Sequence, residues 1–128
     1  MKKYIYNELS GEILDAAISV HKEMGPGLLE SVYELCLLEE LQMRNIKAKN
    51  QVYLPLLYKG IELEKNFRMD LLVENEIIIE IKTVEFILPV HEAQIISYLK
   101  LADKRLGLLI NFNVALLKNG FKRYVNDF

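Results

Sequence analysis

The stretch Asn66-Phe67-Arg68-Met69-Asp70-Leu71-Leu72-Val73-Glu74-Asn75-Glu76-Ile77-Ile78-Ile79-Glu80-Ile81-Lys82 decides the fold. Two aliphatic runs flank a short polar segment, the pattern of two antiparallel strands joined by a tight loop. A strand with one wet face alternates apolar and polar residues. Ile77, Ile78 and Ile79 are consecutive, so both faces of the second strand are expected to be covered. Such a strand belongs at the centre of a sheet with layers on either side.

The period of two puts Ile78, Glu80 and Lys82 on one face of that strand. Buried charge is costly unless the groups pair or bind a metal. Whether Asp70 joins them depends on the loop. If Glu74-Asn75-Glu76 is a three-residue loop, Asp70 lies directly opposite Glu80; a two-residue turn sends it to the other face unless a bulge intervenes. Two converging carboxylates and a lysine suit metal-assisted phosphodiester hydrolysis: the oxygens hold a hard cation that polarises phosphate and acidifies a bound water, and Lys82 orients that water or meets developing charge. The alternative is an internal ionic cluster in a non-catalytic nucleic-acid-binding or scaffold module. Glu-x-Lys alone is a weak signal that many proteins carry by chance. Arg68, two residues from Asp70, is expected on its face as a phosphate contact or a counter-charge.

Working outward, Leu9, Ile13, Ala16, Ala17, Val20 and Met24 recur at helical intervals, predicting a first helix over Glu8–Met24. Gly25-Pro26-Gly27 breaks it, and Leu29, Tyr33, Cys36, Leu37 and Leu41 predict a second over Leu28–Asn45. Gln51–Tyr58 reads as a strand that Pro55 confines to an edge or a bulge, followed by a Lys59-Gly60 turn and Ile61–Leu63. Pro89 precedes a third helix, expected over Val90–Asp103 and carrying Ala93, Ile96, Leu99 and Ala102. Leu106–Phe112 is a buried strand, and Phe121–Val125 a last one. The expected order is ααβββαββ in a single domain covering residues 1–128, since 128 residues suffice for one core.

Composition limits the function. A 52% hydrophobic and 27% charged chain is that of a soluble globular domain. Every apolar run is too short to span a bilayer or to form a signal-peptide core, so the reading places the protein in the cytoplasm, away from membranes. Cys36 is the sole cysteine, which rules out an intrachain disulfide or a thiolate zinc cluster and leaves it as a small apolar group. The net charge of −2 counts against nucleic-acid binding, but residues 99–128 hold 6 basic and 2 acidic side chains, whereas residues 1–45 hold 4 and 8. No Gly-rich phosphate loop, Ser-His-Asp set or HExxH helix is present, which removes P-loop hydrolases and zinc peptidases.

Asp70 followed by Glu80-Ile81-Lys82 in adjacent strands resembles the PD-(D/E)xK nuclease signature, with Met69 in place of the proline. Gln94-Ile95-Ile96-Ser97-Tyr98 resembles the Q-x-x-x-Y motif of the RecB-like and lambda-exonuclease-like branches, and helical spacing makes Gln94 and Tyr98 neighbours, with His91 near their face. Gly27-Leu28-Leu29-Glu30-Ser31-Val32-Tyr33 is similar to the motif of the GxxExxY family within that superfamily. The resemblance implies an α/β restriction-endonuclease-like core with helices flanking a central mixed sheet. It implies Mg²⁺ or Mn²⁺ held by Asp70, Glu80, the Ile81 carbonyl and Glu30, with Lys82, Gln94 and Tyr98 at the reaction centre. The implied substrate is nucleic acid, with DNA ahead of RNA, cut by a monomer or a homodimer. Without the resemblance, Glu30 is an acid three residues after a Gly27 N-cap, Tyr33 and Tyr98 are core aromatics, and His21 and His91 are structural or solvated.

Overall fold

A computed structural model describes residues 1–128. The elements follow in the order α1 (Lys3–Met24), α2 (Glu30–Met43), β1 (Ala48–Tyr58), β2 (Ile61–Val73), β3 (Ile77–Lys82), α3 (Pro89–Ala102), β4 (Leu106–Asn111), a 3₁₀ turn (Leu117–Gly120) and β5 (Phe121–Val125). The five strands form one sheet in the order β1-β2-β3-β4-β5. Only β3 and β4 run parallel, joined through α3; the other neighbours are antiparallel. The architecture is the restriction-endonuclease-like α/β core expected from the sequence.

The triple isoleucine behaves as a doubly covered strand. Ile77, Ile79 and Ile81 enter the main core with Leu9, Ile13, Ala17, Leu37 and Leu41 of α1 and α2, together with Leu106, Leu108 and Ile110 of β4. Ile78 faces the other way, into a smaller cluster with Leu99 of α3, Met69 and Leu72. Burying each such side chain contributes roughly 1.5–3 kcal/mol, so β3 is the strand least free to shift register.

Several boundaries depart from expectation. The first helix begins at Lys3 rather than Glu8, because Tyr6 extends the buried stripe one turn before Leu9. The second begins at Glu30, with Leu29 extended as its cap. Glu30 is therefore the first helical residue, not the third residue after a Gly27 cap. Gly25 and Gly27 both have positive φ, +71° and +96°, so the chain between the helices turns where only glycine is unstrained. The strand expected from Gln51 begins at Ala48, and Ile61–Leu63 and Asn66–Val73 are one strand with a register shift opposite Pro55/Leu56. Pro55 thus sits on an edge strand beside a bulge, as a residue without an amide hydrogen must.

The β2–β3 loop is the three-residue one: Val73 pairs with Ile77, Leu72 with Ile78 and Leu71 with Ile79. Glu74 and Asn75 take left-handed conformations, φ +52° and +57°. On its other side β2 pairs with β1 in a single register through Asn50↔Leu71 and Val52↔Met69. Yet Leu71 and Val73 face α1 and α2, whereas Met69, with Val52 and Leu54, faces the α3 side. The β1–β2 ribbon turns over at Gln51 and Asp70. No helix is long and apolar enough to cross a membrane.

Candidate metal and catalytic centre

The β2–β3 ladder ends at Leu71↔Ile79. One residue further, the Asp70 side chain takes the place of the backbone acceptor: the Ile81 amide donates to Asp70 Oδ2 at 2.8 Å. The strands separate there, and the gap between them holds the Asp70 and Glu80 carboxylates. Glu80 is 3% exposed, and its Oε1 is buried with no hydrogen-bond partner. Burial, and then the neighbouring Asp70 charge, push Glu80 up to about 10, with Lys82 pulling weakly the other way. Glu80 therefore keeps a proton beside Asp70 unless a cation takes its place.

Lys82 lies on the same face, and its Nζ donates to Gln94 Oε1 at 3.3 Å. The Gln94 amide in turn donates to the Tyr98 hydroxyl at 3.2 Å. Gln94 and Tyr98 are i, i+4 neighbours on α3, so one helix face presents both to β3. Tyr98 continues edge-on to Phe67 of β2, with ring centres 6.0 Å apart. His91 is turned back to the helix start, where its Nδ1 accepts from the Leu88 amide at 3.0 Å. His21 meets the Val114 carbonyl at 2.8 Å through Nε2, remote from the strand gap.

Glu30 does not lie against the two carboxylates. It is exposed, and its Oε2 accepts from the Thr83 amide at 3.3 Å, one residue beyond Lys82. Tyr33 fixes this end of α2: its hydroxyl donates to the Gly25 carbonyl and accepts from the Leu28 amide at 3.1 Å. Its ring stacks on Phe112 at 4.4 Å. The Gly-x-x-Glu-x-x-Tyr spacing is thereby a local device, with Tyr33 stapling the glycine turn that delivers Glu30 to the end of β3. Arg68 is a correction. It pairs with Tyr53, next to Met69 on the far side of the turned-over ribbon, so alternation does not carry it to the face of Glu80.

Two elements of the centre escaped the sequence reading. Asn111, 3% exposed at the end of β4, accepts from the Val84 and Asn113 amides at 3.1 Å each and donates to the Val84 carbonyl at 2.9 Å. It clamps the chain leaving β3 and so holds Lys82 and Thr83 in place. A buried asparagine closing an aliphatic strand was the available signal. Glu34, one turn beyond Glu30, is buried and accepts from Asn50 and Gln51. A surface cleft of about 860 Å³, lined by Gln42, Lys47, Lys49, Glu74 and Asn75 among others, shares no residue with this centre.

No three acidic or imidazole groups converge tightly enough to form a complete protein cage. Two carboxylates with one unsatisfied buried oxygen, and the Ile81 carbonyl between Glu80 and Lys82, are instead the partial oxygen set that Mg²⁺ takes, since that ion keeps several waters. The residues present fit such an ion.

The sequence matches the PD-(D/E)XK nuclease superfamily over residues 7–124. No match is found among curated protein sequences. Among solved structures, the crystal structure of SSO0001 is similar at 25% identity and a TM-score of 0.52, over 74% of this chain and 48% of that one. This chain thus spans about half the length of SSO0001. With the match covering nearly all of the chain and the strand gap carrying the signature residues, this protein belongs to the PD-(D/E)XK nuclease superfamily.

Proposed function

We propose that the protein is a Mg²⁺- or Mn²⁺-dependent nuclease that hydrolyses nucleic-acid phosphodiester bonds, DNA in the first instance, at the gap between β2 and β3. The observation that carries the reading is Glu80: a buried carboxylate with an unsatisfied oxygen, raised in pKa beside Asp70. Asp70, Glu80 and the Ile81 carbonyl are the proposed metal ligands, with Glu30 reaching the ion through water from its place at Thr83. When bound, the ion supplies Lewis-acid polarisation of the phosphate and a more acidic water.

The chain's own groups do the rest. Lys82, aimed by Gln94, holds the attacking water or the phosphate oxygen that gains charge. Lys82 can only donate, so the Gln94 oxygen faces it, and the Gln94 nitrogen donates to the Tyr98 hydroxyl. Asp70 and Glu80 would give their lone pairs to the ion, so the proton that the water sheds would pass to solvent rather than to them. The spacing of Gly27, Glu30 and Tyr33 supports membership of the GxxExxY group, and that of Gln94 and Tyr98 supports the RecB-like branch. The proposed setting is the cytoplasm, as monomer or homodimer.

The test is cleavage of single-stranded, double-stranded and branched DNA and RNA with Mg²⁺, Mn²⁺ or EDTA. The expected outcome is metal-dependent cleavage that Asp70→Asn and Lys82→Met each lower by about 10²-fold or more. Absence of cleavage on every substrate with either metal would leave the non-catalytic module as the better account.

A further inference from the structure

Asn50 and Gln51 are consecutive in β1, and in a regular strand their side chains would point to opposite faces. Both nevertheless reach one carboxylate. The Asn50 amide donates to Glu34 Oε2 at 3.2 Å, and the Gln51 amide donates to Glu34 Oε1. Gln51 reaches it by leaving the β region altogether, with φ +53°, a conformation that side chains other than glycine avoid. Gln51 is also where the ribbon turns over. Before it, Ala48 packs into the main core; after it, Val52 and Leu54 pack on the α3 side. The partner strand turns over in step, between Leu71 and Met69, and the residue between those two is Asp70.

Glu34 is 8% exposed and has no cationic partner. Its two oxygens are taken by two amides on the segment of β1 that holds the positive φ. Regular alternation through Gln51 would give Asp70 ordinary strand geometry, and the Ile81 amide would lose its side-chain acceptor.

We propose that Glu34 is a positioning residue: through Gln51 it holds the turnover of the β1–β2 ribbon that delivers the Asp70 carboxylate to Ile81 and Glu80. Its consequence for catalysis rests on the metal-ligand reading of Asp70 given above; its effect on the placement of Asp70 does not. Glu34→Gln keeps the volume but leaves a single acceptor oxygen and turns an amide donor toward donors.

The experiment measures amide hydrogen exchange and Mn²⁺-induced thermal shift on the full chain. In Glu34→Gln, the Ile81 amide is expected to exchange about tenfold faster relative to the Ile79 amide, which lies in the intact ladder, and Mn²⁺ half-saturation is expected to rise by a similar factor. Adding Gln51→Gly to Glu34→Gln is expected to restore both, because glycine adopts φ +53° without strain and so needs no clamp. A Glu34 that only stabilises the fold would lower the melting temperature without singling out Ile81, and glycine would not rescue it.

Should Glu34→Gln fail to fold, Gln51→Ala and Gln51→Gly supply the same contrast with Glu34 intact. Both lose the amide, but only alanine is driven out of the left-handed region, so Ile81 loosens in the first and stays protected in the second. Equal Ile81 protection in those two, or in wild type and Glu34→Gln, overturns the proposal. Loosening of Ile81 in a protein whose wild type ignores Mn²⁺ would sink the metal reading and leave the positioning role standing. Mn²⁺ binding without any response of Ile81 does the reverse.

Discussion

Glu80 concentrates the physical chemistry of the centre in one residue. Its ordinary value of 4.5 is raised to about 10 by burial first and by Asp70 second. Between those values the folded protein holds a proton that the unfolded chain has released. The contribution to stability is therefore complete below about 4.5 and is lost as pH rises toward 10, at up to ~1.4 kcal/mol per pH unit. Denaturant unfolding of the metal-free protein from pH 5 to pH 9 should show this decline, and Glu80→Gln should flatten it. The same proton competes with the cation, so apparent Mn²⁺ affinity should climb as pH rises across the range. A metal affinity independent of pH would mean that the bound ion does not touch Glu80. The sequence reduced the meeting of these acids to the parity of one loop, and the structure has the three-residue loop that brings them together. It could not reveal the depth of burial, which depends on Ile78, Leu99 and Met69 closing over that face from three separate elements.

Among the elements, the end of β3 depends on neighbours that no local pattern announces. Asn111 holds Val84 by two reciprocal hydrogen bonds, and its own backbone is packed against Gly120, where a Cβ would overlap the Asn111 carbonyl oxygen. Gly120→Ala is therefore expected to push the 3₁₀ turn off β4 and to destabilise the fold by roughly 2–3 kcal/mol, measured by denaturant midpoint. At the other side of the centre, Tyr33→Phe removes the hydroxyl that joins Gly25 to Leu28 while keeping the stack on Phe112. It should cost about 1–2 kcal/mol, and Glu30 should lose its hold on Thr83, seen as faster exchange of the Thr83 amide. The helical stripes and the paired strands were legible because their periods are local. The turnover at Gln51 and Asp70 was not, since nothing in Lys49-Asn50-Gln51-Val52 marks a positive φ at glutamine; it is imposed by a carboxylate on α2. The same break explains why alternation misplaced Arg68.

For the whole molecule, the layers and strand order follow from one doubly buried strand, Ile77–Lys82, around which α1 and α2 occupy one face and α3 the other. The charge distribution was legible only in part: the C-terminal basic residues are spread over the end of α3, its connection to β4, the 3₁₀ turn and β5, and Arg105 and Arg123 are engaged by Asp103 and Asn7. Lys100, Lys104, Lys118 and Lys122 are in no ion pair, and any nucleic-acid affinity they supply should fall as salt rises.

The central claim, that Asp70 and Glu80 form a metal-ion site, is tested most directly by thermal melts of wild type and Asp70→Asn with and without Mn²⁺. The account predicts a wild type stabilised by Mn²⁺, and an Asp70→Asn variant that ignores the metal but melts no earlier without it. The asparagine keeps an acceptor for the Ile81 amide and removes the charge beside Glu80. A wild type indifferent to Mn²⁺, with an Asp70→Asn variant that melts much earlier, would contradict it and make the cluster a structural ion pair with Lys82.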